Sequence, residues 1–230
     1  SSVQPRRFKR ADLVEAVGVS ALPPIYMAED EGRIPKFPRD EQNRRMITLE
    51  DVIALQEYFE TSPRRAEGEE PQILSFTNFK GGCYKSTTSV YAGSYYANLG
   101  YRVLLVDLDP QASLTLSCGL YPDIDSSYEV SMAPFITEDS EFAPEDIQKV
   151  IRKTYLPNMD IIPSCLELAG VEFGLSNEVV EARISGDTNQ MANVFFRVRD
   201  ALAQVKDNYD IIILDGTPTL GLLPLNIMLA

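Results

Sequence analysis

The segment that most constrains this chain is residues 76–87, Phe-Thr-Asn-Phe-Lys-Gly-Gly-Cys-Tyr-Lys-Ser-Thr. It joins an apolar run (Ile73, Leu74, Phe76) to a helix expected over Thr88 to Leu99. A glycine-containing loop between a strand and a helix, ending in Lys-Ser, suits a polyphosphate. The N–H groups of the loop and of the helix N-terminus point at the anion, and the helix dipole adds favourable potential. In such a loop Lys85 reaches the terminal phosphates and the Ser86 hydroxyl completes a magnesium shell. A chain that folds around this loop is expected to be α/β, with a mostly parallel sheet flanked by helices.

Two further apolar runs end in aspartates. Val103-Leu104-Leu105-Val106 runs into Asp107-Leu108-Asp109-Pro110-Gln111, and Ile211-Ile212-Ile213-Leu214 runs into Asp215-Gly216-Thr217-Pro218-Thr219-Leu220-Gly221. Unbroken apolar runs are the mark of parallel strands covered on both faces. Acids at their carboxyl ends face the crevice where open α/β sheets bind ligands. The interval from Lys85 to Asp107 fits one helix, a turn at Leu99-Gly100 and a return strand. An aspartate that ends such a strand holds magnesium through its water shell.

The general P-loop pattern places glycine where this chain has Phe79 and Tyr84. The segment instead fits Lys-Gly-Gly-x-x-Lys-[Ser/Thr]-[Ser/Thr], with the additional Lys80. Together with Val-Asp-x-Asp-Pro-Gln and the later aspartate-tipped strand, it resembles the deviant Walker A ATPases of the ParA/MinD class, and most closely the ParA-type partition ATPases. The resemblance covers roughly residues 70 to 230, including Asp160-Ile161-Ile162-Pro163-Ser164 and Leu168-Ala169-Gly170-Val171-Glu172. Thr217 and Thr219 are mild departures, and Tyr84 stands where glycine is usual. A bulky residue costs energy there if the backbone must adopt positive φ.

The resemblance implies ATP or ADP with Mg2+ as cofactors. Lys80, Gly81, Gly82, Cys83, Tyr84, Lys85, Ser86 and Thr87 would bind the nucleotide, and Ser86, Asp107 and Asp215 would serve the metal. Lys80 would reach a partner's nucleotide across a homodimer, Lys85 would neutralise the phosphates, and Asp109 would position the attacking water. It further implies weak intrinsic ATPase activity, non-specific DNA binding in the ATP state, a ParB-like centromere-binding partner and a cytoplasmic, nucleoid-associated protein without membrane attachment. Two rivals share these motifs: a nucleotide-sensing transcriptional repressor with little turnover, and a MinD-like positioning ATPase. The chain stops just past the last aspartate-tipped strand, where relatives continue, so the ATPase unit is expected to be C-terminally incomplete.

The chain is expected to divide into residues 1–62, a hydrophilic linker at 63–71, and an ATPase unit at 72–230. In the first part, residues 8–20 read as a helix with Leu13, Ala16 and Val17 on one face, then a Gly-Val-Ser turn. A second helix is expected from Pro23 to Glu31 with Gly32 beyond it, then a proline-punctuated basic hairpin (Arg33, Lys36, Arg39, Arg44, Arg45). Thr48 caps a third helix with Val52, Ile53, Leu55 and Phe59 as its apolar stripe. This order resembles the winged helix-turn-helix of MerR-like regulators, which implies operator binding and autorepression through residues 1–62. A packing or dimerisation module is the alternative.

Charge separates the two parts. Residues 1–65 carry eleven basic and eleven acidic side chains, so the net charge of −13 lies wholly in residues 66–230. An acidic ATPase unit is not itself a DNA-coating surface. With no histidine, any His-dependent chemistry is excluded, and Cys83, Cys118 and Cys165 are too scattered for a metal or disulfide framework. Residues 122–146 read as an irregular, mobile excursion over the sheet.

Overall fold

The computed structural model describes residues 7–77, 84–139, 141–217 and 220–230. A five-stranded sheet organises the larger part, with strands β1 (Gln72–Phe76), β2 (Val103–Asp107), β3 (Arg152–Lys153), β4 (Met159–Ile162) and β5 (Ile211–Asp215). Their order across the sheet is β1-β5-β2-β4-β3, parallel throughout except for the antiparallel edge strand β3. Every residue of β2, β4 and β5 is buried, as their unbroken apolar runs require of strands covered on both faces. The register sets Asp107 beside Asp215 and Asp215 beside Phe76, so three carboxyl ends finish level at one edge.

Three helices precede the sheet: α1 (Arg10–Val17), α2 (Pro23–Asp30) and α3 (Leu49–Tyr58). Gly18 ends α1 in the left-handed conformation (φ 77°), where a side chain is strained. Thr48 caps α3 through a reciprocal capping box with Asp51: Thr48 N donates to Oδ2 at 2.8 Å, and Asp51 N donates to Thr48 Oγ1 at 3.4 Å. Between α2 and α3 the chain makes a tight hairpin, with Arg39 bridging antiparallel to Arg45 and Asp40 Oδ1 accepting from Gln42 N and Arg44 N. Phe8, Leu13, Val17, Ile25, Phe37, Ile47, Leu49, Val52 and Leu55 form a separate small core.

The hydrophilic segment at 63–71 is tied to the turn before β5: Arg65 Nε donates to Tyr209 O at 2.9 Å, and Arg65 Nη2 donates to Asp207 O at 2.8 Å. Fixed guanidinium geometry lets one arginine satisfy several carbonyls, which composition alone does not reveal. The expectation of a mobile excursion at 122–146 is corrected. The short helices of that segment bury Met132, Ala133, Phe135 and Ile136 in the main core, because apolar side chains interspersed with prolines still find a face to cover. Among the described residues, no helix is long and apolar enough to cross a membrane.

Helix α4 (Lys85–Leu99) links the two parts. Its first turn lies at the level carboxyl edge, and its last meets the N-terminal helices, where buried Gln56 donates from Nε2 to Ala16 O (2.7 Å) and Leu99 O (2.9 Å). Gly93 lets α4 approach the sheet closely, since a Cβ there would lie 2.7 Å from Leu105 Cδ2.

Candidate nucleotide site

Lys85 and Ser86 open α4, three residues earlier than the helix expected from Thr88. The cause is Tyr84, whose backbone lies in the left-handed region (φ 57°, ψ 25°) and turns the chain into the helix. Its carbonyl accepts from Thr88 N at 2.7 Å and from Thr88 Oγ1 at 2.8 Å. Tyr84 is 77% exposed. Lys80, Gly81, Gly82 and Cys83, expected to complete the phosphate cradle, lie outside the described residues.

Asp215 ends β5 fully buried. Its Oδ1 accepts from Ser89 Oγ, one turn into α4, at 2.9 Å. Among the described residues, Oδ2 completes no hydrogen bond of normal geometry although it is buried. Burial raises the pKa of this carboxyl, the nearby hydroxyls of Ser86 and Ser89 hold it down, Asp109 adds to the rise and the Lys85 charge opposes it. All three motifs therefore act on one carboxylate. A buried acceptor without a donor is costly unless something supplies one, and a water of a cation's shell would do so.

Asp107, expected to support the magnesium shell, is held by donors of its own loop and of helix α5 (Ser113–Ser117). It is fully buried, and both oxygens are committed. Oδ2 accepts from Thr115 N (2.8 Å) and Thr115 Oγ1 (2.7 Å), and Oδ1 accepts from Asp109 N (3.2 Å). Burial raises its pKa to about 7 against the pull of the Thr115 bonds, with the charge of Asp215 adding to the rise. The strand end thus holds Asp107 as an internal brace, while Asp109 stands one step further out. Asp109 Oδ1 accepts from Gln111 N at 3.0 Å; among the described residues its Oδ2 accepts from none.

Sequence reasoning missed Ser89 and Thr115. Neither stands in a diagnostic motif position, yet Ser89 sits four residues after Lys85, on the same helix face. That spacing is the signal that would have found it. Thr115 has no such signal, because only the left-handed turn at Ala112 (φ 53°) brings it back to the strand end.

The basic residues of the N-terminal part divide by their partners. Arg45 donates to buried Glu29 at 2.5 Å and lies over the Tyr26 ring, Arg44 pairs with Asp40, and Arg33 pairs with Glu31. Lys9, Arg10, Lys36 and Arg39 are exposed, although Arg39 donates to Asn43 O at 3.2 Å and Arg10 stands over the Tyr26 ring, and Arg6 lies outside the described residues.

Comparison with known proteins agrees with this geometry. Residues 71–230 match a family described as "AAA domain". The chain is 36% identical over 236 residues to a "Putative replication protein A" of Rhizobium rhizogenes, covering 98% of this chain and 56% of that protein. It thus spans about half the length of the curated relatives it matches. Among solved structures, cobyrinic acid a,c-diamide synthase from Mycobacterium smegmatis with bound ADP and magnesium is 32% identical, with a TM-score of 0.55 over 68% of this chain and 55% of that one. A plasmid partition protein from Borrelia burgdorferi is 26% identical, with a TM-score of 0.51 over 70% of this chain and 62% of that one. The chain belongs to the AAA domain family and, within the P-loop fold its sheet displays, is similar to a plasmid partition protein.

Proposed function

We propose that this chain acts as a ParA-type DNA-segregation ATPase, which binds ATP with Mg2+, dimerises on it and binds DNA non-specifically in that state. A ParB-like centromere-binding partner would stimulate hydrolysis. The observation that carries this reading is the convergence on Asp215: Ser89 bonds it, the charges of Lys85 and Asp109 act on it, and one buried oxygen has no donor among the described residues. The bound ADP and magnesium of the Mycobacterium smegmatis synthase support the same cofactors here.

In this reading Lys85 and the first-turn N–H groups of α4 hold the phosphates, and Gly81 to Thr87 form the cradle. Lys80 reaches the partner subunit's nucleotide. Ser86 and Asp215, the latter through water, would hold the magnesium, which would supply positive charge to offset that developing on the phosphates. Asp109 orients the attacking water with its free oxygen, and Asp107 braces the loop that carries it. Phosphoryl transfer asks mainly for such positioning and charge neutralisation.

Residues 1–62 are read as a winged helix-turn-helix that binds the operator. Helix α2 would enter the major groove, and exposed Lys36 and Arg39 on the hairpin would touch phosphates, which position without specifying sequence. Arg45 is a structural pin of that hairpin.

Titration with a fluorescent ATP analogue tests the nucleotide site. Lys85→Ala should abolish binding, and undiminished affinity would remove the assignment. Lys80→Ala should keep ADP binding but lose the ATP-dependent dimer in light scattering.

A further inference from the structure

We propose that Thr115 and Ser164 are positioning residues for Asp109, holding it where it can orient the attacking water; this rests on the ATPase reading above. The four residues form a closed ring of hydrogen bonds. Asp109 N donates to Asp107 Oδ1 (3.2 Å), and Asp107 Oδ2 accepts from Thr115 Oγ1 (2.7 Å). Thr115 Oγ1 accepts from Ser164 N (3.0 Å), and Ser164 Oγ donates to Asp109 O (2.6 Å). Asp107, Thr115 and Ser164 have no exposed surface.

The ring fixes directions as well as distances. A threonine hydroxyl has one proton. Because Thr115 Oγ1 already accepts from a backbone N–H, its own proton is committed to Asp107. Asp109 is gripped on both sides of its Cα: its N–H through Asp107, and its C=O through Ser164 and through Ala112 N (2.8 Å). Oδ1 is turned to Gln111 N, and Oδ2, which accepts from none of the described residues, is left for the water. The ring draws on three places in the fold: the end of β2, helix α5 (Ser113–Ser117) and the segment after β4. Ser126 Oγ also donates to Ser164 O at 2.6 Å, which ties the 122–146 segment to the same support. Reacting groups misplaced by about 1 Å lose on the order of 100-fold in rate, so a loop that carries one needs such support.

The test uses the whole chain with DNA-stimulated ATP turnover and a separate fluorescent-nucleotide titration. Thr115→Val keeps shape but removes the hydroxyl, and Ser164→Ala removes the other bond. Each should lower kcat about 10- to 100-fold while ATP affinity stays within about twofold. Thr115→Ser should restore most of the rate. Adding Thr115→Val to Asp109→Ala should cause little further loss, because the two act through one group. Unchanged kcat, a loss confined to affinity, a Thr115→Ser variant no better than Thr115→Val, or additive losses would overturn the proposal. Should Thr115→Val fail to fold, Ser164→Ala and Thr115→Ser decide by the same criteria. A wild-type chain that binds ATP but never turns it over overturns the ATPase reading as well, whereas an active wild type with indifferent variants overturns only this one.

Discussion

Tyr84 offers the sharpest check on the local geometry of the phosphate loop. It holds φ 57° and ψ 25° at the position that starts α4, and the residue is 77% exposed. A non-glycine residue in this conformation costs roughly 1–2 kcal/mol, and so exposed a residue returns little by burial. Glycine relieves the strain but loses more backbone entropy on folding, about 0.5–1 kcal/mol. Tyr84→Gly should therefore exceed Tyr84→Ala in stability by about 1 kcal/mol, which in a chain of this size is roughly 2–4 °C in Tm. Urea unfolding with unchanged m-values would give the same ranking. The position is also a helix N-cap, where glycine outranks alanine even in ordinary extended backbone. Tyr84→Ser separates the two causes. In an extended cap serine gains a hydrogen bond and equals or beats glycine; in the left-handed region it keeps the strain and falls with alanine. A Tyr84→Ser variant as stable as Tyr84→Gly would refute the left-handed turn.

Two further outcomes follow from packing and charge. Gly93→Ala should lower Tm, because the new methyl would stand 2.7 Å from Leu105 Cδ2 and 3.2 Å from Met159 Sδ; overpacking of about 1–3 kcal/mol exceeds the helix-propensity gain of about 1 kcal/mol, and a stabilised variant would contradict the close approach of α4. Asp210→Ala should cost about 1–3 kcal/mol near neutral pH by removing the acceptor of Arg102 N, Nε and Nη2, whose side chain is partly exposed and can still be solvated. Burial works to raise the Asp210 pKa, but bonds from Arg102 outweigh it and leave it below 3.8. A carboxyl depressed in the folded state contributes stability above its unfolded pKa and loses it as pH falls through the folded value. The gap between wild type and variant should therefore begin to narrow in denaturant titrations as pH falls below about 4 and close only below the lowered folded value, and a gap that does not narrow at all down to pH 2 would rule out the ion pair.

Much of the site could be read directly from the sequence. Apolar runs in β2 and β5 ending in Asp107 and Asp215, and a Lys-Ser pair opening a helix, carry their chemistry in short contiguous segments. Local spacing sets which residues end a strand, so Asp215 and Lys85 needed no tertiary information. Thr48 with Asp51, and Gly18 after Val17, are equally local signals. What lay beyond reach depends on contacts between distant segments. Thr115 looks like any helix residue until the turn at Ala112 folds it under Asp107. Arg65 looks like linker until Tyr209 and Asp207 present their carbonyls. The basic hairpin reads as one patch until Glu29 claims Arg45.

The sequence alone thus determined the α/β class, the strand ends and the identity of the charged groups, because each follows from backbone periodicity and residue chemistry within a dozen positions. Only the tertiary structure decided which acid is bonded at both oxygens and which, among the described residues, is bonded at one. That choice depends on donors supplied from α4, α5 and the segment after β4, and no stretch of chain carries them all.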